Sequence, residues 1–583
     1  MRRHDFKLNL RTRFLDAPLA ALLAASLSIV LAGCALTPAS PPASPPVSPP
    51  PPPAALVQVK VLAINDFHGN LKPPLGGIRI QDPANPGKTV NVEAGGAEYL
   101  ATAVAGLRAK NPNHIFVAAG DLIGATPLLS ALFHDEPTVE ALSLMGLEAS
   151  AVGNHEFDKG LGELLRMQNG GCHPGEGCKG PTPFKGASYQ YLAASTVEVA
   201  TGKTIFPPYF IKTFQGIPVA FIGLTLQATP SMVVPAGVAG LRFGAEADTV
   251  NALVPGLRAQ GIEAIVVLIH EGGVPVGDYN ECPGISGPIV DVVKKLDKAV
   301  DLVVSGHTHR AYNCRIDGRL VTSGDKYGTV VTEIDLVLDP VTRDVVSASA
   351  NNLIVRHAST AKDARQTALI DQYDALAGPL SRRVVGRIAA ALPRDANRAG
   401  ESVLGQVVAD AQLAATRRAG AQIAFMNAGG IRAALGLAAD GQVRYEDIFS
   451  VQPFSNNMVT VTVSGAQLLQ LLEQQWRGQA EGAISGRVMQ VSRGFSYSWD
   501  AARPVGERVV PGSVQLGGLP VVATSTYRVS VNAFMASGGD NYSVLKEGTD
   551  RSTGVMDVDA LEQFIQNNPG LAPGALNRIT RLN

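Results

Sequence analysis

The chain has 583 residues, of which 49 are Lys or Arg and 50 are Asp or Glu, so its formal net charge at pH 7 is −1. This length predicts several domains rather than one small core. A nucleic-acid-binding surface needs a clustered basic face, which this sequence does not offer, so we expect no nucleic-acid partner.

Residues 1–34 have the pattern of a secretory signal. A basic segment precedes an apolar run at 18–32, which ends in Leu31-Ala32-Gly33-Cys34. This ending resembles the bacterial lipobox, which implies lipidation of Cys34 and removal of everything before it. The alternative is an uncleaved transmembrane anchor, but the apolar run is shorter than the ~20 residues that span a bilayer.

Residues 35–55 are almost entirely Pro, Ala and Ser. Such a segment cannot build a core and is expected to form an extended, semi-rigid tether. Ala35 stands where an Asp favours inner-membrane retention in many envelope lipoproteins, so the resemblance favours the outer membrane. We expect a periplasm-facing or surface lipoprotein that meets the membrane only through its lipid, with its oligomeric state open.

Four cysteines remain once Cys34 is lipidated, namely Cys172, Cys178, Cys282 and Cys314. In an oxidising compartment an even set indicates disulfides. Cys172 and Cys178 would close a small loop rich in Gly and Pro, and Cys282 and Cys314 would join two loops farther along. A zinc site is the alternative, but Cys172 and Cys178 lack a second pair at ligand spacing.

Five short apolar runs between residues 56 and 358 end in polar side chains. The runs cover residues 57–64, 115–119, 149–152, 264–269 and 302–304. Helical stretches between them indicate α/β layering, in which sites form at the carboxyl ends of strands. One polar residue after a strand is usually a cap or turn, but five such endings favour a shared site.

Side chains that can bind a metal or transfer a proton are most concentrated at residues 153–158, Gly-Asn-His-Glu-Phe-Asp. One interpretation is that Asn154 binds a metal, His155 faces a reacting phosphate, and Asp158 accepts the other ring N–H of His155. The alternative is a polar turn after a strand, because short motifs also occur by chance.

Seven side chains at these strand ends are candidate metal ligands: Asp66, His68, Asp121, Asn154, His270, His307 and His309. They are too many for one tetrahedral zinc. If Asp121 bridges two ions, each ion gains four ligands, as a two-metal centre requires. We expect two divalent ions, zinc or manganese first, with cobalt, nickel, iron or magnesium as alternatives.

These blocks, in this order, resemble the calcineurin-like metallophosphoesterases. Asn65-Asp66-Phe67-His68-Gly69 together with residues 153–158 resembles the 5'-nucleotidase/UDP-sugar hydrolase branch in particular. The resemblance implies a four-layer α/β/β/α domain over residues 56–358.

The resemblance also implies a division of the ligands. One metal would be held by Asp66, His68, Asp121 and His309, and the other by Asp121, Asn154, His270 and His307. His155, backed by Asp158, would stabilise the transferring phosphoryl group. Some relatives have Gln at the position of His309, which leaves the metal preference there open. We assign no role to Glu156 or Glu271.

A polar helical stretch at 359–383 is expected to link this domain to a second one at 384–583. Three blocks there resemble the α+β 5'-nucleotidase C-terminal domain: Asn427-Ala428-Gly429-Gly430-Ile431-Arg432, Gln452-Pro453-Phe454-Ser455-Asn456, and residues 534–542. In the alternative, the glycines make turns and the aromatic rings fill a core.

By this second resemblance, Phe454 and Phe534 would sandwich a base, and Asn456 would contact its edge. Arg432 and Asn427 would contact phosphate or sugar, and Asp540 the ribose hydroxyls. Arg394 and Arg398 are candidates for a further substrate arginine, of which we choose Arg398. The local pattern departs here, with Gln406 where relatives often have Asn.

The sequence therefore predicts a dinuclear-metal 5'-nucleotidase that hydrolyses nucleoside 5'-phosphates, with UDP-sugars or other nucleotide diphosphates as further substrates. Two alternatives within the superfamily are a 2',3'-cyclic nucleotide phosphodiesterase and a sulfur-ester hydrolase. An alternative of another class is a nucleotide-binding or adhesion lipoprotein without turnover.

Overall fold

The computed structural model describes residues 55–477 and 488–583. The signal peptide, Cys34 and the tether up to residue 54 lie outside the described residues. No helix among the described residues combines the length and the apolar character needed to cross a bilayer.

The first part of the chain alternates strands with helices. Its strands are β1 Val57–Ile64, β2 Ile78–Gln81, β3 Thr89–Val92, β4 His114–Ala118, β5 Ala149–Ala151, β6 Gln190–Leu192, β7 Thr196–Glu198, β8 Tyr209–Phe214, β9 Ile217–Thr225, β10 Leu241–Phe243, β11 Ala264–His270, β12 Leu302–Ser305, β13 Tyr312–Ile316, β14 Arg319–Ser323, β15 Val330–Leu338 and β16 Val345–Ile354. Its helices are α1 Ala97–Arg108, α2 Leu128–Ala131, α3 Glu136–Met145, α4 Leu161–Asn169, α5 Glu246–Ala259, α6 Pro288–Lys295 and α7 Ala364–Ser381.

Two six-stranded sheets form the centre of this part. Their strand orders are β16-β15-β1-β4-β5-β6 and β13-β14-β12-β11-β9-β8. Side chains such as Val61 and Val117 of the first sheet pack with Phe221 and Leu268 of the second in one buried core. Helices α1, α3 and α4 cover the outer face of the first sheet, and α5 and α6 cover that of the second. The expected four-layer α/β/β/α arrangement is confirmed.

The five apolar runs identified in the sequence form β1, β4, β5, β11 and β12. Strands β1, β4 and β5 are parallel neighbours in the first sheet, and β11 and β12 are parallel neighbours in the second. Both faces of these strands are covered, which is why they read as continuous apolar runs rather than alternating ones. Their carboxyl ends carry the candidate ligands.

Helix α7 corresponds to the polar stretch expected to link the domains. Asp363 caps its start by accepting the backbone N–H groups of Arg365 and Gln366. Tyr373 packs edge-on against Phe133, with 4.8 Å between ring centroids, and donates a hydrogen bond to Glu140. The helix is therefore packed onto the helices of the first part and does not run free between domains.

The second part of the chain mixes short strands with helices. Its strands are β17 Val384–Arg387, β18 Ile423–Met426, β19 Gln442–Arg444, β20 Asn457–Ser464, β21 Gln490–Val491, β22 Phe495–Asp500, β23 Gln515–Leu516, β24 Leu519–Pro520, β25 Thr526–Asn532, β26 Thr549–Met556 and β27 Ile579–Leu582. Its helices are α8 Val403–Thr416, α9 Tyr445–Val451, α10 Gly465–Gln474, α11 Ala533–Ala536 and α12 Asp557–Asn567.

A five-stranded sheet, β21-β18-β25-β20-β26, is the centre of this α+β part. Helices α8 and α12 share one core that includes Met426 of β18. Helix α10 and strand β22 share another core, which contains Trp476 and Trp499. Ser464 and Gln467 cap α10 reciprocally, each side chain accepting the other residue's backbone N–H.

Candidate active site

The structure brings the candidate metal ligands together where the two sheets meet. The ligand atoms form two groups, and within each group they lie no more than 4.8 Å apart: Asp66, His68 and His309, and Asp121, His270 and His307. Five of these residues have left-handed backbone, with φ of 45–72°: Asp66, His68, Asp121, His307 and His309. Non-glycine residues rarely adopt this conformation, and it is concentrated at functional sites.

The first group surrounds a space that suits a cation. His68 Nδ1 donates to the carbonyl of Gly124 at 2.8 Å, so its Nε2 carries no proton and offers a lone pair to a metal. That Nε2 lies 3.1 Å from His309 Nε2, and His309 Nε2 lies 3.2 Å from Asp66 Oδ1. The close ring nitrogens and the carboxylate converge as ligands do around an ion.

The second group contains buried polar atoms that make no hydrogen bond to any described residue. His270 Nδ1 donates to the carbonyl of Ala119 at 2.7 Å. Its Nε2 lies 2.9 Å from Asp121 Oδ2 but makes no hydrogen bond within the described residues, and neither does the buried Asn154 Oδ1. Buried polar atoms are normally paired. A divalent cation bound by Asp121, Asn154, His270 and His307 would pair them, so these residues fit the metal that the sequence predicts.

Asp121 lies between the two groups. Its Oδ2 is 3.7 Å from His68 Nε2, on the side of the first group, and 2.9 Å from His270 Nε2, in the second. Burial alone would raise the pKa of Asp121, but His270 and His155 hold it well below its ordinary value. Asp121 is therefore a carboxylate placed to contact both sites.

Glu156 has a positioning role that the sequence did not indicate. Its buried carboxylate accepts the backbone N–H groups of Asp121 at 3.0 Å, Leu122 at 2.7 Å and Gly153 at 2.7 Å. It thereby ties the loop after β4 to the loop after β5. Burial and the charge of Asp121 raise the pKa of Glu156 to about 7. In the sequence, the only indication of this role was that Glu156 is the fourth residue of the motif Gly-Asn-His-Glu.

Asn65 holds the neighbouring ligand Asp66 in place. Its Nδ2 donates to Asp66 Oδ2 and to the carbonyl of Asp325, both at 2.7 Å, and its Oδ1 accepts from the backbone N–H of Gly324. The backbone N–H of His307 also donates to Asp66 Oδ2, at 2.9 Å. These contacts fix the direction of the Asp66 carboxylate.

His155 and Asp158 form the pair expected from the sequence. Asp158 Oδ2 lies 2.8 Å from His155 Nδ1, and the backbone N–H of His155 donates to Asp121 Oδ1. Burial alone would lower the pKa of His155, but Asp158 and Asp121 raise it above its ordinary value. The ring is thus oriented with a protonated Nδ1 on Asp158, which leaves Nε2 for another partner.

Residues of the second part of the chain reach this centre. Arg432 Nη2 lies 3.4 Å from His68 Nε2, and the guanidinium carbon lies 6.0 Å from the centre of the Phe454 ring. The Phe454 ring in turn stacks on His155, with 5.8 Å between centroids and 28° between planes. Arg432 is therefore close enough to meet a phosphate at the metal ligands.

Two more of the predicted substrate residues contact each other. Asn427 Nδ2 donates to Asp540 Oδ2 at 2.8 Å, and Asn427 Oδ1 accepts from Asn532. Gly539 lies under the ring of Phe534, where an added Cβ would be 2.3 Å from a ring carbon. The glycine beside Asp540 thus allows Phe534 its position.

One cavity of about 560 Å³ is lined by residues from both parts of the chain. Those predicted from the sequence are Asn154, His155, Asp158, His307, Asn427, Arg432, Phe454, Asn456, Phe534 and Asp540. Arg398 does not line it and is exposed, with Arg581 the nearby charge. Arg394 instead donates to the backbone carbonyl of Arg432. The structure places Arg394, rather than Arg398, beside the site.

Both disulfides favoured by the sequence are present. Cys172 is bonded to Cys178, and Cys282 to Cys314. The first closes a short loop, and the second joins the segment after β11 to β13.

Two family models match the chain. The calcineurin-like phosphoesterase model matches residues 59–311, and the model of the 5'-nucleotidase C-terminal domain matches residues 384–547. The two matches together cover more than half of the chain and correspond to its two parts.

Individual proteins are also similar. The chain is 31% identical over 517 residues to an endonuclease, YhcR, of Bacillus subtilis, covering 88% of this chain and 40% of that protein. It is 30% identical over 536 residues to a cell wall protein of Listeria monocytogenes, covering 85% of this chain and 65% of that protein. It therefore spans less than two thirds of each of these relatives. The crystal structure of a 5'-nucleotidase precursor from Thermus thermophilus superimposes with a TM-score of 0.74 and 26% identity, covering 90% of this chain and 100% of that one.

Proposed function

The chain belongs to the calcineurin-like phosphoesterases that carry a 5'-nucleotidase C-terminal domain, and from this premise we propose that it hydrolyses nucleoside 5'-phosphates to nucleoside and phosphate. One observation carries the proposal. A single cavity is lined by the candidate metal ligands Asn154 and His307, by His155, and by the aromatic side chains Phe454 and Phe534. A phosphate and a base attached to it would both find partners there.

We assign the metal ligands as two sets that share Asp121. One set comprises Asp66, His68, Asp121 and His309, and the other comprises Asp121, Asn154, His270 and His307. Two divalent cations bound there would supply Lewis-acid charge beside the phosphoryl group. The two carboxylates, Asp66 and Asp121, neutralise only part of that charge, and the remainder suits a dianionic phosphate monoester. Zinc or manganese is our first choice for this mixed N/O ligand set.

The protein's own side chains position the phosphate and move a proton. Asp158 holds the proton on His155 Nδ1, and His155 lines the cavity. Its other ring nitrogen, when protonated, would donate a hydrogen bond to the phosphoryl group or leaving oxygen. Arg432, 3.4 Å from His68, adds a positive charge at the same place. Glu156 keeps the loops of Asp121 and Asn154 in register with each other.

The second part of the chain selects nucleosides in this proposal. Phe454 and Phe534 hold the base by stacking, which every base permits. Asn456 meets the base edge, and Asp540, held by Asn427, meets the ribose hydroxyls. Stacking on both sides favours broad base specificity, and UDP-sugars are further candidate substrates.

We also propose that the chain is exported and anchored by a lipid on Cys34, with its catalytic domains outside the cytoplasm. The two disulfides, which persist in oxidising compartments, support export. A similar protein of Listeria is a cell wall protein, which agrees with an extracytoplasmic location.

The test is a substrate panel on the purified chain with zinc or manganese. We expect AMP and UMP, followed by release of inorganic phosphate, to be hydrolysed faster than 2',3'-cyclic AMP, UDP-glucose and single-stranded DNA, each followed chromatographically by its own products: 2'- or 3'-AMP, UMP with glucose 1-phosphate, and shorter oligonucleotides. The DNA is included because one relative is an endonuclease. Faster cleavage of the DNA or of the cyclic nucleotide than of AMP would overturn the assignment. Binding of AMP with no release from any substrate would instead support a non-catalytic nucleotide-binding protein.

A further inference from the structure

Three side chains outside the phosphate centre form another group of potential metal ligands. The ligand atoms of His134, Glu163 and His173 lie within 4.8 Å of one another. His134 lies in the turn between α2 and α3, Glu163 lies on α4, and His173 lies inside the loop that the Cys172–Cys178 disulfide closes. None of the three belongs to the motifs identified in the sequence.

The two imidazoles of this group are adjacent, and one of their nitrogens makes no hydrogen bond to a described residue. The rings of His134 and His173 stack with 4.1 Å between centroids and 8° between planes. His134 Nε2 is buried and makes no hydrogen bond within the described residues, although Glu176 Oε2 lies 3.5 Å away.

The charges around the group leave room for a cation. Arg166 donates to Glu163 through two N–H groups, at 2.7 and 2.9 Å, and to Glu136 at 2.6 Å. Lys179 forms an ion pair with Glu176. The three carboxylates carry three negative charges, and the two cationic side chains carry two positive charges. One negative charge therefore remains beside the two imidazoles.

We propose that His134, His173 and Glu163, with Glu176 as a fourth ligand, bind a third divalent cation of the zinc class. Two imidazole nitrogens and carboxylate oxygens form a ligand set that zinc and its neighbours prefer. His134, Glu163 and Glu176 line the same cavity as His155, so the ion would lie on the cavity wall, separate from the phosphate centre. This site does not depend on the proposed function.

Binding requires a small rearrangement of the disulfide loop. His173 Nδ1 accepts the backbone N–H groups of Gly175 at 3.3 Å and Glu176 at 3.1 Å, which places its proton on Nε2. Ligation through Nε2 moves that proton to Nδ1 and breaks both hydrogen bonds. The ring then turns out of its face-to-face stack toward the ion.

The experiment counts bound ions in the untagged full chain. The chain is dialysed against excess Zn²⁺, then against buffer with a low, buffered concentration of free Zn²⁺, and zinc per chain is measured by mass spectrometry. We expect three ions in the wild type and two in the His134→Gln/His173→Gln double variant. His114→Gln is the matched control, because His114 lies at the start of β4 and donates to the carbonyl of Asn111. The His114→Gln variant should keep three zinc ions per chain.

The difference between wild type and double variant decides the proposal, whereas the first two ions report on the phosphate centre. An equal count in the two proteins, whether two or three, would overturn the third site. Glutamine keeps both positions polar, and a circular dichroism melt shows whether the variant is folded. A second pair of variants, Glu163→Gln and Glu176→Gln, should each weaken retention of the third ion alone. Retention of that ion at wild-type strength in both would also overturn the ligand set.

Discussion

Replacing Phe454 with alanine should damage hydrolysis of a nucleotide far more than hydrolysis of a simple phosphate ester. The Phe454 ring lines the cavity, lies 5.8 Å from the ring of His155 and is faced by the Arg432 guanidinium at 6.0 Å. Truncation therefore removes a stacking surface for the base and also one contact of the arginine assigned to the phosphate.

The two losses differ in size and in the substrates that they affect. A lost base stack costs ~1–3 kcal/mol, which is roughly 5- to 150-fold in kcat/KM. The lost cation–π contact costs ~0.5–1 kcal/mol at an exposed site, or roughly 2- to 5-fold, and acts on every phosphate ester. We expect part of the first loss to appear in kcat, because binding of the base helps to orient the phosphate.

The assay compares kcat and KM for AMP and for p-nitrophenyl phosphate in the wild type and in Phe454→Ala and Phe534→Ala. Phe564→Ala is the matched control, because Phe564 is a partly buried side chain of α12 in the same domain and packs in a core. It should leave the ratio of the two activities unchanged.

An equal fall in kcat/KM for AMP and for p-nitrophenyl phosphate would refute the reasoning. Phe454 and Phe534 would then be residues that only support the fold, and the cavity would not select a nucleoside through them. A fall in kcat/KM for AMP alone in the Phe564→Ala control would also refute it, because substrate specificity would then change without loss of a stacking ring.

Four further outcomes are expected. His155→Asn should lower kcat by ~10²–10⁴, as for other proton-transfer groups, with metal content unchanged by mass spectrometry; loss of both ions would make His155 a ligand. Asp121→Asn should instead deplete bound metal, because it removes the carboxylate that contacts both sites; full metal content would exclude the bridging role. Burial and Asp344 raise the pKa of Asp301 to about 8, above the ~3.9 of an unfolded chain, so this group favours folding less as pH rises from about 4 to 8. Asp301→Asn should therefore raise the thermal midpoint at pH 8.5 more than at pH 4.5, by less than the ~2–4 °C per kcal/mol of a domain of about 150–250 residues because this chain is longer; equal gains would contradict the shift. Cys34→Ser should move the protein from the membrane to the soluble fraction with unchanged specific activity, and retention in the membrane would indicate an uncleaved anchor.

The sequence by itself determined the candidate metal centre because each ligand directly follows its own strand. Asp66 comes two residues after β1, and His270 is the last residue of β11. Parallel strands end at a common edge, so residues that are far apart in the chain meet there without further information about loops. The short spacing of Cys172 and Cys178 made their disulfide equally accessible to sequence reasoning.

Only the tertiary structure decided which side chains converge from irregular segments. Arg394, rather than Arg398, contacts Arg432. The direction of a side chain on a loop depends on tertiary packing, and no periodic pattern in the sequence predicts it. Glu156 joins two loops through three backbone N–H groups. Nearly every residue type has a backbone N–H group, so the residue types do not show which of these groups will donate. His134 and His173 become neighbours because the disulfide loop folds back onto the turn before α3, a contact that depends on how α4 and that loop pack and not on any local pattern.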